Sequence, residues 1–529
     1  MSDQKLIQQI EKLIEIGIAL TNEKNAEILL EKILLYAKSL TGADGGTLYR
    51  TEGSDMRIAI IHSDSLKIHL GGSSGKKADF AAVPLYMPDG SVNLNHVVCY
   101  SYHNKIAVNV LDVYDPDDDF DFSGPKEFDR QYHYRTKSLL TIPLKNHEGD
   151  IIGVLQLINA IDSVSGQVVD FDAVSQKITT AMASQAAIVL TQQQLIADLE
   201  KLFQSLVKLV ATAIDQKSPY TGAHSRRVPV LTMMLAEAVH QTEQGPFKDF
   251  SLSDADRYEL EIAAWLHDCG KITTPESVMD KATKLQTIFD RIALIETRFE
   301  VLKRDREIDM LKQKISALEN AESSDSRAEQ LLQQNLSRID DDLTFIKRVN
   351  LGGEFLSDAD QARIQQLRRQ YHIALDSKIQ PLLTDEEAYN LSISRGTLTR
   401  EERDVINHHI VATIDMLGAI EFPKHLKNVP EYAGGHHERV DGKGYPRGLR
   451  REQMSVQARI MAIADVFEAL TDPGRPYKPG KKLSESLAIL KNMKEGGHID
   501  PDLYDVFMAQ KVYKKYADQY LAAEQIDVL

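Results

Sequence analysis

Cysteine is nearly absent, with only Cys99 and Cys269 in 529 residues. Two cysteines cannot build a disulfide framework, which points to a reducing compartment. Long apolar runs are missing too, and nothing approaches the roughly 20 residues that span a bilayer. The opening stretch, MSDQKLIQQIEKLIEIGIAL, carries charge throughout and reads as an amphipathic helix rather than a signal peptide. The expectation is a cytoplasmic protein that does not enter a membrane. Positive charge is also short: Lys and Arg number 62 against 78 Asp and Glu, a formal net charge of -16. That balance argues against broad binding to DNA, RNA or anionic lipid. It leaves room for a small anionic ligand, because local cations override a global field. Nothing resembles a P-loop or a serine triad.

What is present exceeds one core. The chain length suggests about three domains. Residues 1–173 read as an α/β domain, a central antiparallel sheet with flanking helices. A helical beginning is followed by a Gly-rich turn from Gly42 to Gly46. The strand-like pieces GTLYR, RIAIIHS, KIAVNVL, SLLTIPL and IIGVLQLIN come next, with the acidic loop DPDDDFDFSG between them. The last two pieces predict a hairpin turning at Gly149. Residues 174–214 predict one long helix. Along it Ile188, Leu195, Leu202 and Leu209 recur every seven residues beside Leu199, Leu206 and Ala213, interrupted at Gln192. This a/d seam predicts a parallel homodimer, its rival being a helix that lies on its own domain.

Residues 215–284 and 395–529 are helix-rich, and a charged insert, 285–394, separates them. Leu285, Ile288, Ile292, Ile295, Phe299 and Leu302 step by three and four, as do Leu332, Leu336, Ile339, Leu343 and Ile346. The polar stretch NAESSDSRAEQ parts the two runs, so the insert predicts an antiparallel coiled-coil hairpin. A further helix is expected from Ser357, with Asp360 in the capping-box position. No insert residue suggests catalysis, and its expected role is contact with a protein partner.

Chemistry concentrates in the helix-rich blocks. His224 stands just inside a helix start. His267 and Asp268 end the apolar helix of AAWLHDCGK. His409 lies some two turns beyond the capping box of Thr399 and Glu402, and His436 and His437 open HHERVDGKGYP. Asp465 adds a carboxylate to the otherwise apolar RIMAIADVFEALT, where an unpaired buried charge would be expensive. Any one helical histidine is more often a satisfied core or surface residue than a ligand. Five histidines and two aspartates, however, exceed one structural zinc site. They suit two adjacent divalent cations bridged by a carboxylate, a pair able to activate a water and polarise a phosphoryl oxygen.

HDCGK, HHERVDGKGYP and ADVFEALT with RPYK resemble the HD-GYP family, metal-dependent phosphodiesterases of bacterial cyclic dinucleotides. The resemblance covers two blocks of an all-α HD-type domain. It implies metal ligation by His224, His267, Asp268, His409, His436, His437 and Asp465, with Asp268 bridging. It also implies that Lys271 lies beside the phosphate, that Arg475 and Lys478 hold substrate phosphates, and that Tyr445 lines the site. The catalytic pair would be Asp268 and Lys271. Family members with three metals carry an extra glutamate shortly before the first histidine. Tyr220, Thr221 and Ala223 stand there, so two cations, iron or manganese, are expected. The sequence departs from the pattern at Val440, usually Trp, at Ile410, usually Pro, at the lengthened loop of Pro473 and Gly474, and at the insert after Lys284. None of these removes a ligand.

RTKSLLTIPL, GDIIGVLQLINA and VDFDAV resemble a GAF domain. Asn159, Phe171 and Asp172 match its Asn-Lys-Phe-Asp signature, while Ala160 replaces the Lys. That departure argues against a cyclic nucleotide and leaves a different small ligand or a purely structural dimerisation domain. The combined expectation is hydrolysis of cyclic di-GMP to linear pGpG, and onward to GMP, under GAF control. The alternatives are cyclic GMP-AMP as substrate, a low-turnover cyclic dinucleotide receptor, and a di-iron oxygenase using similar ligands.

Overall fold

The structure, a computed structural model, describes residues 14–23, 25–115, 120–217, 224–319, 326–352, 355–375, 378–472 and 480–528. The chain divides into two compact units, Met1–Leu202 and Phe203–Leu529.

In the first unit the alternating apolar stretches become one antiparallel sheet. Its strands are β1 (Ala43–Glu52), β2 (Asp55–Ser63), β3 (Ile68–Leu70), β4 (Val83–Pro84), β5 (Val108–Val110), β6 (Leu139–Lys145), β7 (Ile151–Ile161) and β8 (Val168–Val169). The order is β3-β2-β1-β7-β6-β5, with β4 on β2 and β8 on β7. The expected hairpin is β6–β7, in register from Leu139↔Ile158. KIAVNVL contributes only the short β5, preceded by a helix over Val97–Asn104. Helix α1 (Ala26–Thr41) covers one sheet face. A Cβ on Gly46 would stand 2.6 Å from Leu34 Cδ1, so that glycine permits the close approach. Helix α2 (Ala173–Lys217) is 45 residues long, slightly longer than expected. Its Met182, Ala183, Ala186 and Ala187 join Leu29, Ile33, Leu140 and Leu155 in the core of this unit.

The signature residues of this unit are structural. Asn159 adopts a positive φ of 54°. Its Oδ1 accepts from the Lys137 and Ser138 amides, and its Nδ2 donates to the Arg135 carbonyl. Phe171 is buried. Asp172 caps α2 by accepting from the Val174 and Ser175 amides.

The second unit is built on helices α3 (His224–His240), α4 (Asp254–Leu266), α5 (Arg400–Asn407), α6 (His409–Gly418), α7 (Val429–Gly434) and α8 (Val456–Thr471). α8 buries residues on every side, including Ile460, Ile463, Ala464 and Phe467, as expected of a helix apolar all round. Val207 and Ile214, from the last turns of α2, belong to this second core. Instead of running on from the Thr399–Glu402 capping box, the chain breaks at His408, and His409 opens a new helix.

The insert has a core of its own. Helices over Ile292–Glu319 and Ser326–Asn350 pair through Ile295, Phe299, Leu302, Ile339, Leu343 and Ile346. Ile288 does not join this seam. The helix starts at Ile292 and leaves Ile288 97% exposed. A small mixed part then follows: helix Asp358–Gln370, the two-stranded hairpin β9 (His372–Leu375) and β10 (Lys378–Pro381), and helix Asp385–Leu391. The Ser357 side chain caps the first of these helices by accepting from the Asp360 amide. The insert leaves and rejoins the helical unit at one point, where Lys284 Nζ donates to the carbonyls of Leu391 and Ile393 at 2.9 and 2.8 Å.

Candidate metal centre

All but one of the ligand-type side chains are delivered by a helix end or turn. His267 is the C-cap of α4, and Asp268 begins the 3₁₀ turn Cys269–Thr273. This turn packs under α6. The Gly270 amide donates to Thr413 Oγ1 at 2.9 Å, and a Cβ there would fall 2.0 Å from the His409 carbonyl oxygen. His436 and His437 follow α7. His224 starts α3 and Asp465 comes from the middle of α8. All seven expected ligands meet in two groups that share one residue. Asp268, His409, His436 and His437 form one, and His224, His267, Asp268 and Asp465 form the other.

The distances suit cations. Ligands about 2.1 Å from one ion stand about 3.0–3.4 Å apart in octahedral or tetrahedral arrangement. His267 Nε2 lies 3.1 Å and His224 Nε2 3.4 Å from Asp268 Oδ2, while His409 Nε2 lies 3.3 Å from Asp268 Oδ1. His224 Nε2 is 3.1 Å from Asp465 Oδ1. The two oxygens of Asp268 therefore address different groups.

The ring orientations are set in advance. His267, His409 and His436 each use Nδ1–H to donate to a carbonyl three residues back, of Ala264, Ile406 and Ala433. A carbonyl can only accept, so each ring keeps its Nε2 lone pair for the centre. The Nε2 atoms of these three rings and Oδ1 of Asp268 are buried, with no hydrogen-bond partner among the described residues. Orphaned acceptors in such a place fit bound cations.

Electrostatics agree. Burial alone would raise the Asp268 carboxyl, but the Lys271 ammonium, His267 and His224 hold it well below the ordinary carboxylate value. Lys271 Nζ stands 2.6 Å from Asp268 Oδ2. Burial would likewise raise Asp465, yet the hydrogen bond and charge of His224 hold it low. Burial depresses His436 well below its usual value and His437 to about 4, so both rings are neutral near pH 7. Burial would lower His224 as well, but Asp268, Asp465 and Glu468 raise it. Tyr445 stacks on His437, with centroids 4.9 Å apart and planes at 17°. Arg475 and Lys478 lie outside the described residues.

Two acidic residues of the centre escape a reading by ligand type. Glu468, fully buried, is bonded to His224 Nδ1 and faces Arg227. It lies three residues after Asp465, and a second acid on one face of an apolar helix was the available signal. Glu438 is 1% exposed and accepts from the Arg447 and Leu449 amides, pinning the loop that carries Tyr445.

Parts of the chain are similar to known proteins. The HD domain family matches residues 383–503 and the GAF domain family residues 25–190. The HD match covers the second helical block, not the block of His224, His267 and Asp268 that the insert detaches. Three relatives illustrate the likeness. The 3'3'-cGAMP-specific phosphodiesterase 1 of Vibrio cholerae is 44% identical over 88 residues, 16% of this chain and 20% of that one. The 3'3'-cGAMP-specific phosphodiesterase 3 of the same organism is 24% identical over 319 residues, 60% of this chain and 40% of that one. A cyclic di-GMP phosphodiesterase of Thermotoga maritima is 34% identical over 125 residues, 24% of this chain and 33% of that one. The chain thus spans at most 40% of the length of these relatives. A solved GAF domain from a Coxiella burnetii phosphoenolpyruvate-protein phosphotransferase is 12% identical, with a TM-score of 0.28, over 36% of this chain and 98% of that one.

The chain is therefore a protein that joins a GAF domain to an HD domain. Its HD part carries HHERVDGKGYP, the motif by which it resembles the HD-GYP family.

Proposed function

We propose that the protein is a metal-dependent phosphodiesterase that hydrolyses cyclic di-GMP to linear pGpG, and onward to GMP. The observation that carries this reading is the pair of ligand groups sharing Asp268, with the Lys271 ammonium on one oxygen of that carboxylate. Two divalent cations, iron or manganese, bound by these groups would supply Lewis acidity toward a phosphoryl oxygen and the attacking water. The chain's own part is to orient and to balance charge. Asp268 spans both groups, Lys271 adds positive charge where phosphate charge develops, and Tyr445 walls the site beside His437. Arg475 and Lys478 are assigned to the substrate phosphates. Cyclic GMP-AMP is the second reading, favoured by the relatives whose names specify it.

Control is assigned to the first unit. A cavity of about 460 Å³, a size suited to a small ligand, lies among Thr47, Tyr49, Phe122, Tyr134 and Gln156. No Lys or Arg is among its described lining residues, which speaks against a phosphate-bearing ligand there. Homodimerisation is assigned to α2, where Ile188, Leu195, Leu199, Leu202, Leu206 and Leu209 are exposed along the seven-residue seam. The insert's exposed Ile308, Leu311, Ile315 and Leu318 are the surface assigned to a protein partner.

The test is hydrolysis of cyclic di-GMP and 3'3'-cGAMP by full-length protein reconstituted with manganese or iron, with products identified. Asp268→Asn should abolish turnover and lower metal content. Binding without turnover in the wild type would make the protein a receptor, and oxygen uptake would make it an oxygenase.

A further inference from the structure

Lys217 ends α2, and its side chain reaches the turn that bears Asp268 and Lys271. Its Nζ donates to the carbonyl of Ile272 and, at 2.6 Å, to that of Thr274. These carbonyls lie at the C-terminal end of the 3₁₀ turn, where unsatisfied acceptors carry partial negative charge and a cation is favoured. The opposite side of the turn is held by Thr413 through the Gly270 amide. Inside it, the Lys271 amide donates to the Asp268 carbonyl at 2.9 Å and the Thr274 amide to the Lys271 carbonyl at 3.1 Å. Lys217 and Thr413 thus clamp the backbone from which Lys271 reaches Asp268. The Lys217 end is itself anchored, because Val207 and Ile214 are buried in the second core.

We propose that Lys217 is a positioning residue of the phosphodiesterase centre. It holds the turn 268–274 so that Lys271 keeps its place on Asp268, and it makes the last turn of α2 a mechanical input to that centre. The proposal rests on the phosphodiesterase reading and adds the route by which α2 touches it. Without the ammonium, two carbonyls lose their donor and the turn gains freedom. Displacement of a reacting group by about 1 Å costs up to about a hundredfold in rate.

The experiment uses full-length Lys217→Met, Lys217→Arg, Lys271→Met and the double variant Lys217→Met/Lys271→Met. Amide exchange across residues 268–274 is measured without metal or substrate, and turnover and metal content after reconstitution. Lys217→Met should speed exchange in the turn severalfold. It should lower kcat on cyclic di-GMP about tenfold, within the range of such displacements, with KM and metal content within about twofold. Lys217→Arg, which keeps a cationic donor, should restore most of both. In the Lys271→Met background the Lys217 change should add nothing, because it acts through Lys271. Unchanged exchange, multiplicative loss in the double variant, or an arginine variant as impaired as the methionine one would overturn the proposal. A wild type that hydrolyses neither dinucleotide defeats the functional reading instead. The exchange comparison then still decides whether Lys217 holds the turn.

Discussion

Three histidines of the centre share one device, a carbonyl three residues back that takes Nδ1–H, whereas His224 relies on the carboxylate of Glu468. A carboxylate partner makes a ring more basic and fixes its direction, and losing one typically costs ten- to a hundredfold in metal affinity. Glu468→Gln should therefore weaken metal binding by about 10–100-fold while the helical unit stays folded, as metal titration and circular dichroism would show. Substituting any of the three carbonyl acceptors is impossible by mutation, so Glu468 is where this orienting effect can be measured. It also marks the limit of sequence reading at this scale. The seven ligand-type residues stand out because histidines and acids sit beside caps, glycines and apolar helix faces. Glu468 shares the apolar helix of Asp465, but only its burial tells an acid that orients a ring from one that is solvated.

At the scale of elements, the long apolar periodicities were readable and the short pieces were not. β9 and β10 are four residues each, and Lys378–Pro381 is exposed along its whole length. No burial-driven alternation announces such a hairpin. The break at His408 was hidden for a related reason, because one apolar pattern continues across α5 and α6. The insert's junction gives a direct prediction. Chain exit and return meet at Lys284, so replacing residues 287–393 with a short Gly/Ser linker should leave a soluble protein that binds metal and hydrolyses substrate. A folded, metal-loaded deletion without turnover would place the insert in the active site.

The insert's own stability has a predictable pH dependence through Glu387, which is 2% exposed. Burial would raise its pKa. Arg298, at 2.7 and 3.0 Å, and the Thr384 amide outweigh that and hold it below the ordinary glutamate value. A carboxylate lowered on folding stabilises fully above its unfolded pKa, and that contribution is lost as pH falls through the folded value. Denaturation of the insert should thus become easier below about pH 4.3, the ordinary Glu value. Glu387→Gln should flatten that dependence and cost about 1.5–3 kcal/mol at neutral pH, the range for a lost charged hydrogen bond.

For the whole molecule, α2 is the element to perturb. An insertion of seven residues near Asp198 preserves a heptad phase, whereas four create a stutter. The first should retain dimerisation and regulated turnover. The second should alter basal turnover with metal content unchanged, a comparison read by size measurement, metal analysis and rate. Equal rates in both would remove the case for control through this helix. The separate hydrophobic clusters of the GAF unit, the helical unit and the insert also carry a calorimetric consequence. Chains with several cores do not melt in one two-state step. A scan should show more than one heat-absorption peak. Ligands that bind only the native form raise its stability by about 2.7 kcal/mol at a hundredfold excess over Kd. Manganese should therefore shift the peak of the helical unit upward and leave the GAF peak where it was, which makes the thermogram a map of where the ion binds.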